Sequence, residues 1–376
     1  MANLRTGEAT GARGIVLGRL LAPLGRFYSE AGDKTHARDI LKESLELLQR
    51  LGASEETLMP LLFLAEVQES IEESNRLYQE ALTLARAIDD QWAIGHALIY
   101  LAINSSFTGN YQEAEQQAQE ALNQFRHNGD KGGIVFSLVV LSVLAVDRGQ
   151  YEHALALAQE SRSVSQGFNP LFRASSLFPL GYALFALGKY TEAEEQFRQS
   201  LTFAREVGRQ VWASDMRFWL GETAFYTGDY ARAAHQYQAS LAGAVKFNDL
   251  GSIVQNHCAL GRLDVAQDRL IKAREHFHAA LQTALSLSQP PLILECMLSV
   301  AELFAEEGDL NYSVLLATLI KEHPASRAQI NERAELLLAR VETGLPSKAG
   351  DANHQRSQTK NLVALASQIL VDLEMS

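Results

Sequence analysis

The phrase Gly-x-Tyr-x-x-Ala is written four times at a near-constant interval: GNYQEA from Gly109, GQYEHA from Gly149, GKYTEA from Gly188 and GDYARA from Gly228. With its final alanine as anchor, equivalent residues fall at Ala37, Ser74, Ala114, Ala154, Ala193, Ala233, Ala273 and Ser313, spaced 37, 40, 40, 39, 40, 40 and 40 apart. Seven residues after each anchor stands Ser44, Ala81, Ala121, Ser161, Ser200, Ser240 or Ala280, and, less small, Ile320. A chain of 376 residues would ordinarily divide into two or three domains. A repeat array is exempt, because each unit packs only on its neighbours.

The spacing has a physical cause. Apolar residues before each Gly-x-Tyr recur at three and four residues, the period of an amphipathic helix. Gly109, Gly149, Gly188, Gly228 and Gly308 then stop that helix, since the cap position requires positive φ. The anchor lies about one turn into a second helix, where a small side chain lets the two helices approach. The residue seven further on shares its face and is small for the same reason. Thirteen and twelve residues before the anchor stand Leu24-Gly25, Leu180-Gly181, Leu220-Gly221 and Leu260-Gly261, relaxing elsewhere to Leu101-Ala102, Leu141-Ser142 or Val300-Ala301. Each unit is a helical hairpin whose apolar stripes need a stacked neighbour.

Leu-Gly, Gly-x-Tyr and the two small positions at these offsets resemble the tetratricopeptide repeat, over roughly residues 15 to 325. The period here is near 40 rather than the usual 34, as in the extended class of bacterial regulators. HEAT and armadillo repeats share the longer period but not Leu-Gly before Gly-x-Tyr. The resemblance implies an all-α, right-handed superhelix of about eight hairpins across residues 1–323. After His323-Pro324 the style changes: residues 324–342 read as a capping helix, 343–360 as a flexible linker and 361–376 as a C-terminal helix.

Chemistry is scarce. The chain has no phosphate loop, dinucleotide fingerprint, His-Glu-x-x-His or nucleophile elbow, so no enzyme activity, cofactor or metal is expected. His276 and His278 flank Phe277 on a helix and diverge, and carboxylate pairs such as Glu194-Glu195 read as a solvated outer face. A formal net charge of −12 argues against a nucleic-acid groove. Cys258 and Cys296 are too few for a disulfide framework and read as small packing residues. The amino-terminal Ile15–Ala22 run is interrupted by Arg19 and reads as a first repeat helix, and no uninterrupted run of 18 apolar residues exists. The expectation is a cytoplasmic protein that touches no membrane.

In the tetratricopeptide fold the first helices line the concave face, which by analogy places inward the residues 18, 15, 11 and 8 before each anchor. In the central units these include Ile99, Ile103, Phe136, Val139, Val143, Phe178, Tyr182, Phe185, Phe218 and Phe225. Toward both ends the same offsets are polar or charged, as at Glu56, Glu66, Glu295 and Glu302. Such a wall is either a binding groove, if exposed, or core, if tight curvature buries it. The Lys, Asn and Arg clamp of chaperone-tail binders is missing, because the repeat units place only Arg262 inward, besides Arg19 and Arg26 near the amino terminus. Linkers such as Arg86-Ala-Ile-Asp-Asp-Gln-Trp92 and the tail Ile320–Ala334 resemble the C-terminal sensor region of bacterial signal-transduction ATPases and maltose-activator-type regulators. That resemblance implies a protein or peptide partner, or a small-molecule inducer, with no direct contact to nucleic acid. A free-standing adaptor for protein complexes is the alternative.

Overall fold

A computed structural model describes residues 11–30, 32–167, 170–342 and 361–374, and among them all regular structure is helical. The anchors sort the helices into hairpins. The first four join α1 (Gly11–Glu30) to α2 (Lys34–Arg50), α3 (Leu58–Glu66) to α4 (Ile71–Ala87), α5 (Gln91–Phe107) to α6 (Tyr111–Asn128), and α7 (Lys131–Asp147) to α8 (Tyr151–Ser165). The next four join α9 (Pro170–Ala186) to α10 (Tyr190–Glu206), α11 (Gln210–Tyr226) to α12 (Tyr230–Lys246), α13 (Leu250–Val265) to α14 (Leu270–Leu287), and α15 (Pro290–Glu306) to α16 (Leu310–Glu322). Two further helices follow, α17 (Ala328–Glu342) and α18 (Leu362–Glu374). Helix α17 follows a turn in which Ser326 N donates to His323 O at 2.9 Å. The segment 343–360, read as a linker, lies outside the described residues.

Every anchor is the fourth residue of its second helix, and each is buried, from Ala37 to Ser313. All eight residues seven positions on have no exposed surface, Ile320 included. Small side chains therefore sit where the two helices of a hairpin touch, one turn and three turns in.

The glycine twelve residues before the anchor answers a large side chain four residues after it. A Cβ on Gly181 would stand 2.6 Å from Phe197 Cε1, and one on Gly221 2.6 Å from Tyr237 Cδ1; Gly261 faces Phe277 and Gly25 faces Leu41 in the same way. Hairpins that carry Ala102, Ser142 or Ala301 at this offset carry Ala118, Ala158 and Ala317 at the answering one. In seven of the eight hairpins bare backbone meets a large side chain or two small residues meet each other; in the second, Leu62 and Tyr78 are both buried at these offsets.

Helix stops follow the same economy. Gly188 adopts φ +74°, its N–H donates to Phe185 O at 2.9 Å, and Lys189 N donates to Leu184 O at 2.9 Å. Between α13 and α14 the residue is Asp268, which takes φ +56° without being glycine.

Contacts between Cα atoms group the chain into two units, Met1–Ser105 with Gln112–Val140, and Ser106–Tyr111 with Leu141–Ser376. In the first unit α1 packs along α2, where Ser44 Oγ donates to Gly18 O at 2.7 Å. Phe125 of α6 rests against two glycines, Gly95 of α5 and Gly133 of α7. In the second unit a core runs from Val254 through α14, α15 and α16 to Ala366, Ile369 and Leu373 of α18. Helix α18 lies on α14 and α15, with His278 Nε2 3.0 Å from Glu374 Oε1.

Candidate functional site

Successive first helices of the second unit present Tyr182, Glu222, Arg262 and Glu302 at one repeat position, eleven residues before the anchor. The repeat stacks these four chemistries in order, so neighbours must satisfy one another. Arg262 Nη2 donates to Glu222 Oε1 at 2.6 Å, and the Tyr237 hydroxyl donates to the same oxygen at 2.6 Å. The guanidinium also lies 5.4 Å from the Phe225 ring centroid. Both charged side chains are under a tenth exposed. Glu302 accepts from Arg333 of α17, from Nε at 3.2 Å and from Nη2 at 2.7 Å, in the two-pronged geometry that suits a carboxylate.

Arg333 belongs to a stretch that crosses this unit. Tyr111 donates to Ala325 O at 3.1 Å, and Tyr151 donates to Glu332 Oε1 at 2.5 Å. The Tyr182 hydroxyl donates to Asp147 Oδ1 at 3.0 Å and stands 3.1 Å from Gln329 Oε1. Arg327 enters between two carboxylates, its Nε 3.9 Å from Asp147 Oδ2 and its Nη1 3.8 Å from Glu295 Oε2. Residues 325–333 thus run past the ends of α7 and the starts of α6 and α8, while Arg327 and Arg333 reach α15. Burial pushes the Asp147 carboxyl above its ordinary range, and Arg327 draws it back only in part. Burial likewise pushes the Tyr111 hydroxyl up to about 12, and the Tyr182 hydroxyl up, so both remain donors at any physiological pH.

Beside this polar strip stands a cluster of rings with Trp219 at its centre. Trp219 is 4.7 Å from Tyr182, 5.3 Å from Phe218, 5.5 Å from Phe185, 5.6 Å from Phe197 and 6.1 Å from Phe178, centroid to centroid. Phe178 and Tyr182 stack at 5.9 Å, one turn apart on α9. Val143 joins the same packing from α7. Phe225 lies further along α11 beside Tyr226 and Tyr230. Tyr182, Phe185 and Phe218 are buried, whereas Val143, Phe178 and Phe225 are half-buried. The difference has a local cause: Tyr182 and Phe185 are each covered by Trp219, and Phe218 lies between Trp219 and Tyr237.

The first unit repeats the theme at smaller scale. Ile99 is buried without residual exposure, and Ile103, Phe136 and Val139 are half-buried. Tyr100 takes the central place, 5.8 Å from Phe136, 5.3 Å from Tyr78 and 4.8 Å from His96. His96 lies 3.0 Å from Glu66, yet burial outweighs that pairing and draws its pKa down to about 4. Tyr100 and Trp219 share one repeat offset, fourteen residues before the anchor, which the inward positions read from the sequence omit. Aromatic residues at a position that is otherwise small or aliphatic were the available signal.

Residues 172–244 match the family model of the tetratricopeptide repeat. That match covers the hairpins α9–α10 and α11–α12, and the remaining hairpins share their helical pattern. Among solved tetratricopeptide-like structures, a Rap protein complexed with competence and sporulation factor covers 95% of this chain and 97% of its own, at 14% identity and a TM-score of 0.66. The Rap conjugation gene regulator of plasmid pLS20, in complex with the Phr* peptide, covers 89% and 98%, at 12% identity and a TM-score of 0.58. A signal-transduction ATPase with a tetratricopeptide repeat sensor, from Pyrococcus horikoshii, covers 89% of this chain and 54% of its own, at 15% identity and a TM-score of 0.51. At these identities the likeness is one of fold. No curated protein sequence matches the chain. Tetratricopeptide arrays are protein-interaction modules, and among the described residues no helix is long and apolar enough to cross a membrane.

The remaining candidates of the sequence have ordinary places. Cys258 and Cys296 are buried with their sulfurs 3.4 Å apart. His276 Nδ1 meets His257 Nδ1 at 3.0 Å, while His278 turns away to α18. The Glu194 carboxylate is tied to Arg198 and to Arg232 of the next hairpin, so it is an inter-repeat contact rather than a free outer charge.

Proposed function

We propose that the chain is a non-catalytic, ligand-sensing tetratricopeptide module of a cytoplasmic bacterial signalling or transcription-regulator system. Its first-helix face takes a peptide, a protein segment or a small inducer. One observation carries this reading. The second unit already holds a segment of its own chain, the turn 325–327 and the first turns of α17, through side chains contributed by first and second helices of several hairpins. Contacts spread over separate repeats and converging on one segment are how a solenoid reads a ligand along its length. Half-buried Phe178, Phe225 and Val143, with Ile103, Phe136 and Val139 in the first unit, supply apolar footing beside the polar strip. The likeness to regulators solved with bound peptide or signalling factor is consistent with that use.

A photo-crosslinking residue in place of Tyr226, which is 40% exposed beside Phe225, tests the reading in living cells. Ile271, 80% exposed on the second helix α14, serves as the control position. A discrete adduct at the first site alone supports the proposal. A peptide-sized or smaller adduct indicates a sensor, and a protein-sized one indicates the adaptor. Equal labelling at both sites overturns it.

A further inference from the structure

The stretch Ala325–Arg333 is held as a bound peptide would be, and the fit is incomplete. A hydroxyl grips its backbone at Ala325, two tyrosines meet Gln329 and Glu332, and three carboxylates, Asp147, Glu295 and Glu302, receive its two arginines. Yet the Arg327 contacts of 3.8 and 3.9 Å are longer than hydrogen bonds. Arg327 Nε, Ser326 Oγ and Asn331 Oδ1 are buried without any hydrogen-bond partner. A buried donor or acceptor left unmade destabilises its own segment. The resident segment is therefore seated on the core through Ala325 and Ile330 but incompletely satisfied in its polar contacts, which is where a competing peptide can gain.

We propose that residues 325–333 are a tethered occupant of a peptide site, and that the external partner is a cationic peptide that presents two arginines as this turn and the start of α17 present Arg327 and Arg333. The inference rests on the function proposed above and adds to it the chemistry of the ligand and its competitor. Three carboxylates against two guanidinium groups leave the site acidic, so a neutral or anionic peptide is disfavoured. Planar guanidinium matches the carboxylate fork at Glu302 in a way that lysine cannot. Because the occupant is tethered, its effective concentration is high and an external peptide binds only weakly until the segment is loosened.

The test uses the full chain and a fluorescent synthetic peptide carrying residues 324–334. Binding by anisotropy should be at least tenfold tighter to the Arg327→Ala/Arg333→Ala variant than to the unmodified chain. It should be lost when both arginines of the peptide become glutamine, and weakened tenfold or more by adding Glu302→Gln. Equal affinity for the variant and the unmodified chain, or equal binding of the glutamine peptide, overturns the proposal. If the double variant melts early, hydrogen exchange on the unmodified chain decides. Saturating peptide should deprotect the first turns of α17 and leave α14 unchanged, and unaltered protection of α17 sinks the idea. An adduct at position 226 alongside failure here would leave the first-helix face as a binding surface and make residues 325–333 structural.

Discussion

Gly221 of α11 faces the ring of Tyr237 in α12 so closely that a Cβ on the glycine would lie 2.6 Å from Tyr237 Cδ1. Neither helix can yield easily, because Tyr237 is fully buried and its hydroxyl is bound to Glu222. Gly221→Ala is expected to destabilise by roughly 1–3 kcal/mol through overpacking, against the helix-propensity gain that alanine normally brings. Chemical denaturation measures it. A variant as stable as the parent would mean that the ring has room to retreat.

Ala193 has no exposed surface at the contact between α9 and α10. Ala193→Leu should likewise lower stability by roughly 1–3 kcal/mol. The control is Glu195→Leu, at an exposed place on the same helix, for which little change is expected. Comparable melting shifts in the two variants would show that anchor size does not set the helix separation.

Glu222 and Arg262 form a pair in which both side chains are under a tenth exposed. Removing one partner strands the other, so Glu222→Gln should cost about 3–5 kcal/mol. Replacing both residues with apolar ones of similar size should cost far less. A double-mutant cycle by denaturant titration checks the difference, and additive losses would refute the coupling.

Asp215 gives the pH dependence a definite sign. Its carboxyl is pushed up to about 7, first by burial and then by the nearby Asp249, with Ser252 Oγ 3.2 Å from one and 3.0 Å from the other. Unfolded, the group titrates near its ordinary value of 3.8. Between those values the folded state holds a proton that the unfolded state has released, so stability falls as pH rises from about 4 to 7. Asp215→Asn, which imitates the protonated form, should raise Tm at pH 8 and leave it unchanged at pH 4. A gain of equal size at both pH values would point to some other cause.

Trp219 meets rings from α9, α10 and its own helix. Trp219 is itself half-buried but meets five rings where Phe178 meets three, so Trp219→Ala should lower stability by roughly 2–3 kcal/mol. Phe178→Ala, at a half-buried ring on the rim of the same cluster, should cost clearly less. Equal losses would place Phe178 within the core and withdraw it from any contact surface.

Hairpins were legible in the sequence because their causes are local and repeated. A small residue recurs where the two helices of a hairpin touch, and a positive φ at most turns from one helix to the next, so both leave marks at a fixed period. The match reaches single residues, with all eight anchors at the fourth position of their helices. Burial along the first helices was less legible, because it depends on the neighbour. Tyr182 and Phe218 are covered by Trp219, one ring at an offset that carries no such residue in most repeats. The contact between Arg327 and Asp147 was invisible for a different reason. It joins residues 180 positions apart, and neither belongs to the periodic set.

The answering pairs across each hairpin bear on how such an array can be inherited. Hairpins holding Gly181, Gly221 and Gly261 oppose them with Phe197, Tyr237 and Phe277, whereas those holding Ala102, Ser142 and Ala301 oppose them with alanine. A genetic exchange with its breakpoint in the turn inside a hairpin would set a ring against a side chain, or leave a hole where a ring belonged. A breakpoint in the loop after a second helix, near Gly208 or Asn248, passes both halves of the pair on together. Gain and loss of units should therefore leave their joints between hairpins, and hybrid genes spliced there should yield folded protein where those spliced within a hairpin do not.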